Sequence, residues 1–73
     1  MIEVLVSDRM GQRVIVKCLP EDTVHDFKQV LAAQLKMDVS KISVSRGKNV
    51  LRDHITLDDY EIHNGTNLEL YYL

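Results

Sequence analysis

Apolar positions along this chain follow two different periods. In IEVLVS, Ile2, Val4 and Val6 alternate with Glu3, Leu5 and Ser7, the period of two that lays one face of a strand on a core. DRMG follows, a charged connection whose Gly11 accepts the positive φ of a hairpin turn. QRVIVKCL then alternates again, with Val14, Val16 and Cys18 on one face. Residues 1–19 therefore predict a β-hairpin.

PEDTVHDFKQVLAAQLK changes period. Val24, Phe27, Val30, Leu31 and Leu35 recur at spacings of three and four, the apolar stripe of an amphipathic helix. Thr23 and Asp26 have capping-box spacing, the hydroxyl accepting from an early helical N–H and the carboxylate reaching back. Lys36 suits the helix's last turn. MDVSK leads to ISVS, a short strand with Ile42 and Val44 inward. Gly47 and Asn49 mark a turn, and Val50 with Leu51 starts a short edge strand. TLDDYEIHNG reads as a brief helical turn with Thr56 as cap, closed by Asn64-Gly65. TNLELYYL places Leu68, Leu70 and Tyr72 on one face and Glu69 and Tyr71 on the other. Strands split by one helix predict a single α+β domain over residues 1–73, a mixed sheet packed on one main helix. The run ending in the twin tyrosine predicts an interior last strand with no room for a flexible tail.

Size moves the search for function outward. A chain of 73 residues buries only about 60% of the surface its unfolded form exposes, so inward apolar side chains are committed to stability. A net charge of -2 and a pI near 5.8 argue against a nucleic-acid binder, which needs a cationic stripe. Cys18 is the single cysteine and cannot form an internal disulfide, which favours a reducing compartment. MIEVLVSD has no basic region ahead of an apolar core, no apolar run suits a bilayer, and no prenylation box ends the chain. The expected location is cytosol or nucleus. His25, His54 and His63 are too scattered for metal ligands, and no metal or cofactor is expected. Cys18, at an inward strand position with no base beside it, reads as a small core residue. No phosphate-cradling glycine loop or nucleophile motif occurs, so the chain is not expected to be an enzyme.

EDTVHDFKQVL, TLDDYEI and the spacing between them resemble ubiquitin over essentially the whole chain, which implies the ubiquitin-like β-grasp fold. MIEV with DR at Asp8-Arg9 and Gly11, VKC, Asp53-His54, DYEIH from Asp59 to His63, and NLELYY look like the ubiquitin-like protein 5 family, the "homologous to ubiquitin" modifier of pre-mRNA splicing. That resemblance implies a noncovalent ubiquitin-like modifier, monomeric, in nucleus and cytoplasm. It would bind spliceosomal proteins through short amphipathic helical elements, notably a tri-snRNP component, and contact a DEAD-box splicing helicase. Neither nucleic acid nor membrane would be touched directly. Two departures from ubiquitin bear on this. A conjugated modifier presents a flexible tail ending in Gly-Gly, whereas Tyr71, Tyr72 and Leu73 stand here. Arg9, Ser45 and Tyr71 occupy the positions of ubiquitin's apolar recognition patch, so ubiquitin's readers are not expected to bind. The alternative is a covalently conjugated ubiquitin-like modifier after C-terminal processing.

From the residues alone, Asp22 reads first as negative charge ahead of the helix. The resemblance instead makes it the acceptor of a salt bridge from an arginine on the bound helix, a pair the planar guanidinium holds in bidentate form. It likewise assigns His63, beside the Asn64-Gly65 turn, to the helicase-contacting surface; taken by itself His63 is a solvated loop residue. Independently of any family, a hairpin closing about Asp8 to Gly11 puts Leu5 opposite Ile15 on the outward face. That pair either anchors a partner or is ordinary surface scatter, two alternatives of equal standing unless Tyr71 extends the pair into a patch and favours the first. Tyr71 and Tyr72, the family's C-terminal signature, also read as plain strand architecture.

Overall fold

The computed structural model describes Met1–Leu73. Strands β1 (Ile2–Ser7) and β2 (Arg13–Cys18) form the expected hairpin, followed by helix α1 (Val24–Leu35), a 3-10 turn at Val39–Lys41, and strands β3 (Ile42–Arg46), β4 (Asn49–Val50) and β5 (Asn67–Tyr72). The five strands run in the order β2-β1-β5-β3-β4. β5 lies parallel to β1 and antiparallel to β3, so the last strand is interior, as its pattern predicts. One helix lies across one face of this mixed sheet, the β-grasp arrangement.

Side-chain parity explains the layering. Val4 and Val6, Val16 and Cys18, Ile42 and Val44, and Leu68 and Leu70 point from four strands onto Val24, Phe27, Leu31 and Ala32 of α1. Leu51, Leu57 and Ile62 of the β4–β5 connection close the open end of that core. The capping box is complete: Thr23 Oγ1 accepts from Asp26 N–H at 3.1 Å, and Asp26 Oδ2 accepts from Thr23 N–H at 3.2 Å. Both otherwise orphan donors are satisfied where the chain enters the helix.

Several expectations need correction. Val30 belongs to the period but is exposed, because Ala32 takes the packing position on the sheet side. Lys36 is not in the last turn; it is the C-cap, left-handed at φ 58°, with its N–H donating to Ala32 and Ala33 carbonyls. Leu51 is buried but outside β4. Residues 56–62 make the expected brief helical turn, with Tyr60 N–H donating to Thr56 O at 3.3 Å, and no longer stretch of helix. They form a chain of turns, in which Thr56 Oγ1 accepts from Asp59 N–H at 3.1 Å and Ile62 N–H donates back to Leu57 O at 3.0 Å. Thr56 also pairs with Thr23 in an isolated bridge, which ties this turn to the start of α1. Tyr72 keeps the inward parity yet is 46% exposed, since it lies beyond the end of the helix-covered core.

Candidate protein-binding surfaces

Asp22 sits in the corner between β2 and α1. Its Oδ2 accepts from Leu19 N–H at 2.9 Å, and its N–H donates to Leu19 O at 3.0 Å. The corner is clamped from the other side, with Leu57 N–H donating to Asp22 O and Asp58 N–H to Pro20 O, both at 2.9 Å. Asp22 is half-buried and forms no salt bridge within the chain. One carboxylate oxygen is therefore fixed by backbone while the other has no protein partner. Its charge acts inward too. Burial pushes the Cys18 thiol up to about 11, and the Asp22 carboxylate adds to that rise. Cys18 itself is buried, as its strand position predicts.

His63 occupies a stapled turn. Its N–H donates to Thr66 Oγ1 at 2.8 Å, and its carbonyl accepts from Thr66 N–H at 3.0 Å. Gly65 inside the turn has φ +87°, a conformation that disfavours a side chain. Asn64 Oδ1 accepts from Glu3 N–H at 2.8 Å, and Gly65 N–H donates to Glu3 O at 2.8 Å. The backbone is thus tied to β1 while the exposed imidazole stays free.

The hairpin register pairs Leu5 with Ile15, as the sequence predicts, on the sheet face away from α1. Ile15 is 55% exposed. Glu3, Leu5, Ile15, Asn64 and Gly65 line a cleft of about 200 Å³, so the apolar pair abuts the turn that carries His63. Sequence reasoning did not link them; the link comes from β5 running parallel to β1, with Leu5 N–H donating to Thr66 O at 2.9 Å. Tyr71 does not extend this patch. Leu5 stands beside Asn67, and Tyr71 lies further along β5, opposite Ser43, with Glu69 between. Asp22 is on the helix side of the sheet, apart from both.

The tyrosines hold their own end of the sheet. Tyr71 donates to Glu69 Oε2 at 2.6 Å, and Tyr72 donates to Asp8 Oδ2 at 3.0 Å. Those carboxylate bonds raise both phenols above their usual range. Ser45 is 2% exposed, so that position offers no recognition surface. The sequence places Asp8 in the hairpin turn but does not foretell its bonds. Its Oδ1 accepts from Met10 and Gln12 N–H, each at 2.9 Å, the Asx geometry that an aspartate opening a turn signals. No group of three or more His, Cys, Asp or Glu gathers as a metal centre, and no helix is long and apolar enough to cross a membrane.

Comparison with known proteins places these features in context. The ubiquitin family model matches residues 4–72. Ubiquitin-like modifier HUB1 of Kluyveromyces lactis is 65% identical over the full length of both chains, and that of Saccharomyces cerevisiae is 59% identical over the full length of both. Ubiquitin-like protein 5 of Drosophila melanogaster is 49% identical over 99% of both.

Proposed function

Since the chain belongs to the ubiquitin family, in the branch of ubiquitin-like modifier HUB1 and ubiquitin-like protein 5, we propose that it is a noncovalent docking module of the splicing machinery. It binds short amphipathic helices of spliceosomal proteins, a tri-snRNP component among them, and works in nucleus and cytoplasm. The observation that carries this is the Asp22 carboxylate, held by Leu19 N–H on one oxygen and without an internal cation. A preoriented, half-desolvated carboxylate at a rigid corner suits the guanidinium of a helix laid alongside. On the opposite face, Leu5, Ile15 and the His63 turn supply an apolar floor with a polar edge for the DEAD-box helicase.

Residues 70–73 are held in the sheet. Leu70, Tyr71 and Tyr72 pair with β3, and Leu73 N–H donates to Lys41 O at 2.8 Å, so this segment is part of the sheet. The test is calorimetry of the purified chain with an arginine-bearing helical peptide from a tri-snRNP component, without activating enzyme or ATP. A reversible one-to-one complex that dissociates in SDS is expected. Failure to bind, or recovery from cells of an isopeptide-linked adduct confirmed by mass spectrometry, would overturn the assignment.

A further inference from the structure

The end of β5 and the β1–β2 loop form a third surface, which the proposal above does not use. Met10 at the loop tip is 89% exposed and shares a cleft with the exposed Tyr71 and Tyr72. Arg9, Met10, Leu70, Tyr71 and Tyr72 line a cleft of about 250 Å³, four of the five being apolar. An exposed cluster of large apolar side chains with a polar edge marks an interaction site more often than scattered single residues do.

Its polar groups are unevenly committed. Asp8 spends both oxygens, on Met10 N–H, Gln12 N–H and the Tyr72 hydroxyl. Glu69 accepts the Tyr71 hydroxyl. Arg9 forms no salt bridge, although it is near enough for its charge to pull the Tyr71 phenol downward against Glu69. One unpaired guanidinium thus borders an apolar cleft whose acidic neighbours already hold other donors. Preorganisation favours docking, because the Asp8–Tyr72 bond ties the loop to β5 and little ordering remains to be done on binding.

We propose that this cleft docks a protein segment carrying one carboxylate beside a large apolar side chain, the carboxylate on Arg9 and the apolar group between Met10 and the tyrosine rings. Charge complementarity selects that occupant: a lone guanidinium fits a single carboxylate in its fork. A nucleic-acid strand is disfavoured, since Asp8 and Glu69 flank the same spot and successive phosphates need several cations.

The test is an amide-resonance titration of the full 15N-labelled chain with a terminally blocked helical peptide bearing Leu, Phe and a single Glu. Shifts confined to Arg9, Met10 and Tyr71 to Leu73 are expected. Replacing the peptide's Glu by Gln, or Arg9→Gln, should each weaken binding about fivefold or more, and the two together should cost no more than one alone. Asp22→Asn should leave this titration unchanged, which separates it from the splicing-helix test. Three results would each overturn the proposal: shifts elsewhere, indifference to Arg9→Gln, or tighter binding of an oligouridylate. Concentration-dependent self-association through the same residues would overturn it as well, by making a second copy the occupant.

Discussion

Replacing Asp22 by asparagine and by alanine separates two roles that one carboxylate plays. Oδ2 accepts from Leu19 N–H at 2.9 Å, so part of Asp22 is structural. Asp22→Asn keeps a side-chain oxygen for that N–H and removes only the charge. Asp22→Ala removes both. A charge-assisted hydrogen bond contributes about 1.5–3 kcal/mol, and at a half-exposed corner solvent screening favours the lower end. At 1.4 kcal/mol per decade, Asp22→Asn should weaken the arginine-bearing helix by about tenfold. Its thermal midpoint should stay close to that of the native chain. Asp22→Ala should lose the same affinity and also about 0.5–1.5 kcal/mol of stability from the unsatisfied Leu19 N–H. For a domain of this size that lowers the midpoint by roughly 2–12 °C. Calorimetric titration gives the affinities and circular-dichroism melting gives the midpoints. If Asp22→Asn binds like the native chain while Asp22→Ala fails, the carboxylate shapes the corner and meets no arginine.

Other expectations follow from the remaining surfaces and from the core. Leu5→Thr with Ile15→Thr should weaken a DEAD-box helicase fragment in a pull-down while the urea midpoint moves little, since threonine suits a strand; unchanged affinity would leave that pair as ordinary surface. The Asp8 carboxyl is held below its usual range: burial opposes ionisation, but the donors from Gln12, Tyr72 and Met10 together outweigh it. Asp8 therefore contributes stability that is present above its unfolded pKa and lost as pH falls through the folded one, and Asp8→Asn should flatten the acid limb of a stability-against-pH curve. The Tyr72 phenol is raised, chiefly by its bond to Asp8, so its contribution is full below its unfolded pKa and lost as pH rises through the folded one; Tyr72→Phe should remove part of the alkaline loss. Leu70→Ala, at a buried position of an interior strand, should cost about 2–5 kcal/mol in urea unfolding, a large share of the roughly 4–11 kcal/mol available to a chain this long.

What the sequence revealed was set by the range of the interactions involved. Strand parity, the Thr23–Asp26 capping box and the Leu5–Ile15 register are local or nearly so, and each is present as expected. The Thr56 cap and the turn after it are local and legible too, whereas the Thr56–Thr23 bridge joins partners far apart in the chain. Val30 was misread because periodicity marks a stripe but not which of its edges meets the sheet. The Asp8–Tyr72 bond joins residues 64 positions apart, and no local pattern announces it. Asp22 stood out only through family likeness; its local signal, an acid before a helix, is the same whether or not anything docks there.

The parallel pairing of β5 with β1 ties these surfaces to the question of attachment. It makes the last strand interior, with β1 on one side and β3 on the other, and so brings the Asn64–Thr66 turn beside Leu5 and the tyrosines beside the β1–β2 loop. Drawing Tyr71 and Tyr72 into a narrow enzyme channel would break the Tyr72–Asp8 bond and the Ile42–Tyr72 and Ser43–Tyr71 pairings together. A domain with so small a core has little stability to spare for such an opening. The same strand placement that builds binding surfaces on this molecule therefore also opposes release of Tyr71 and Tyr72 from the sheet.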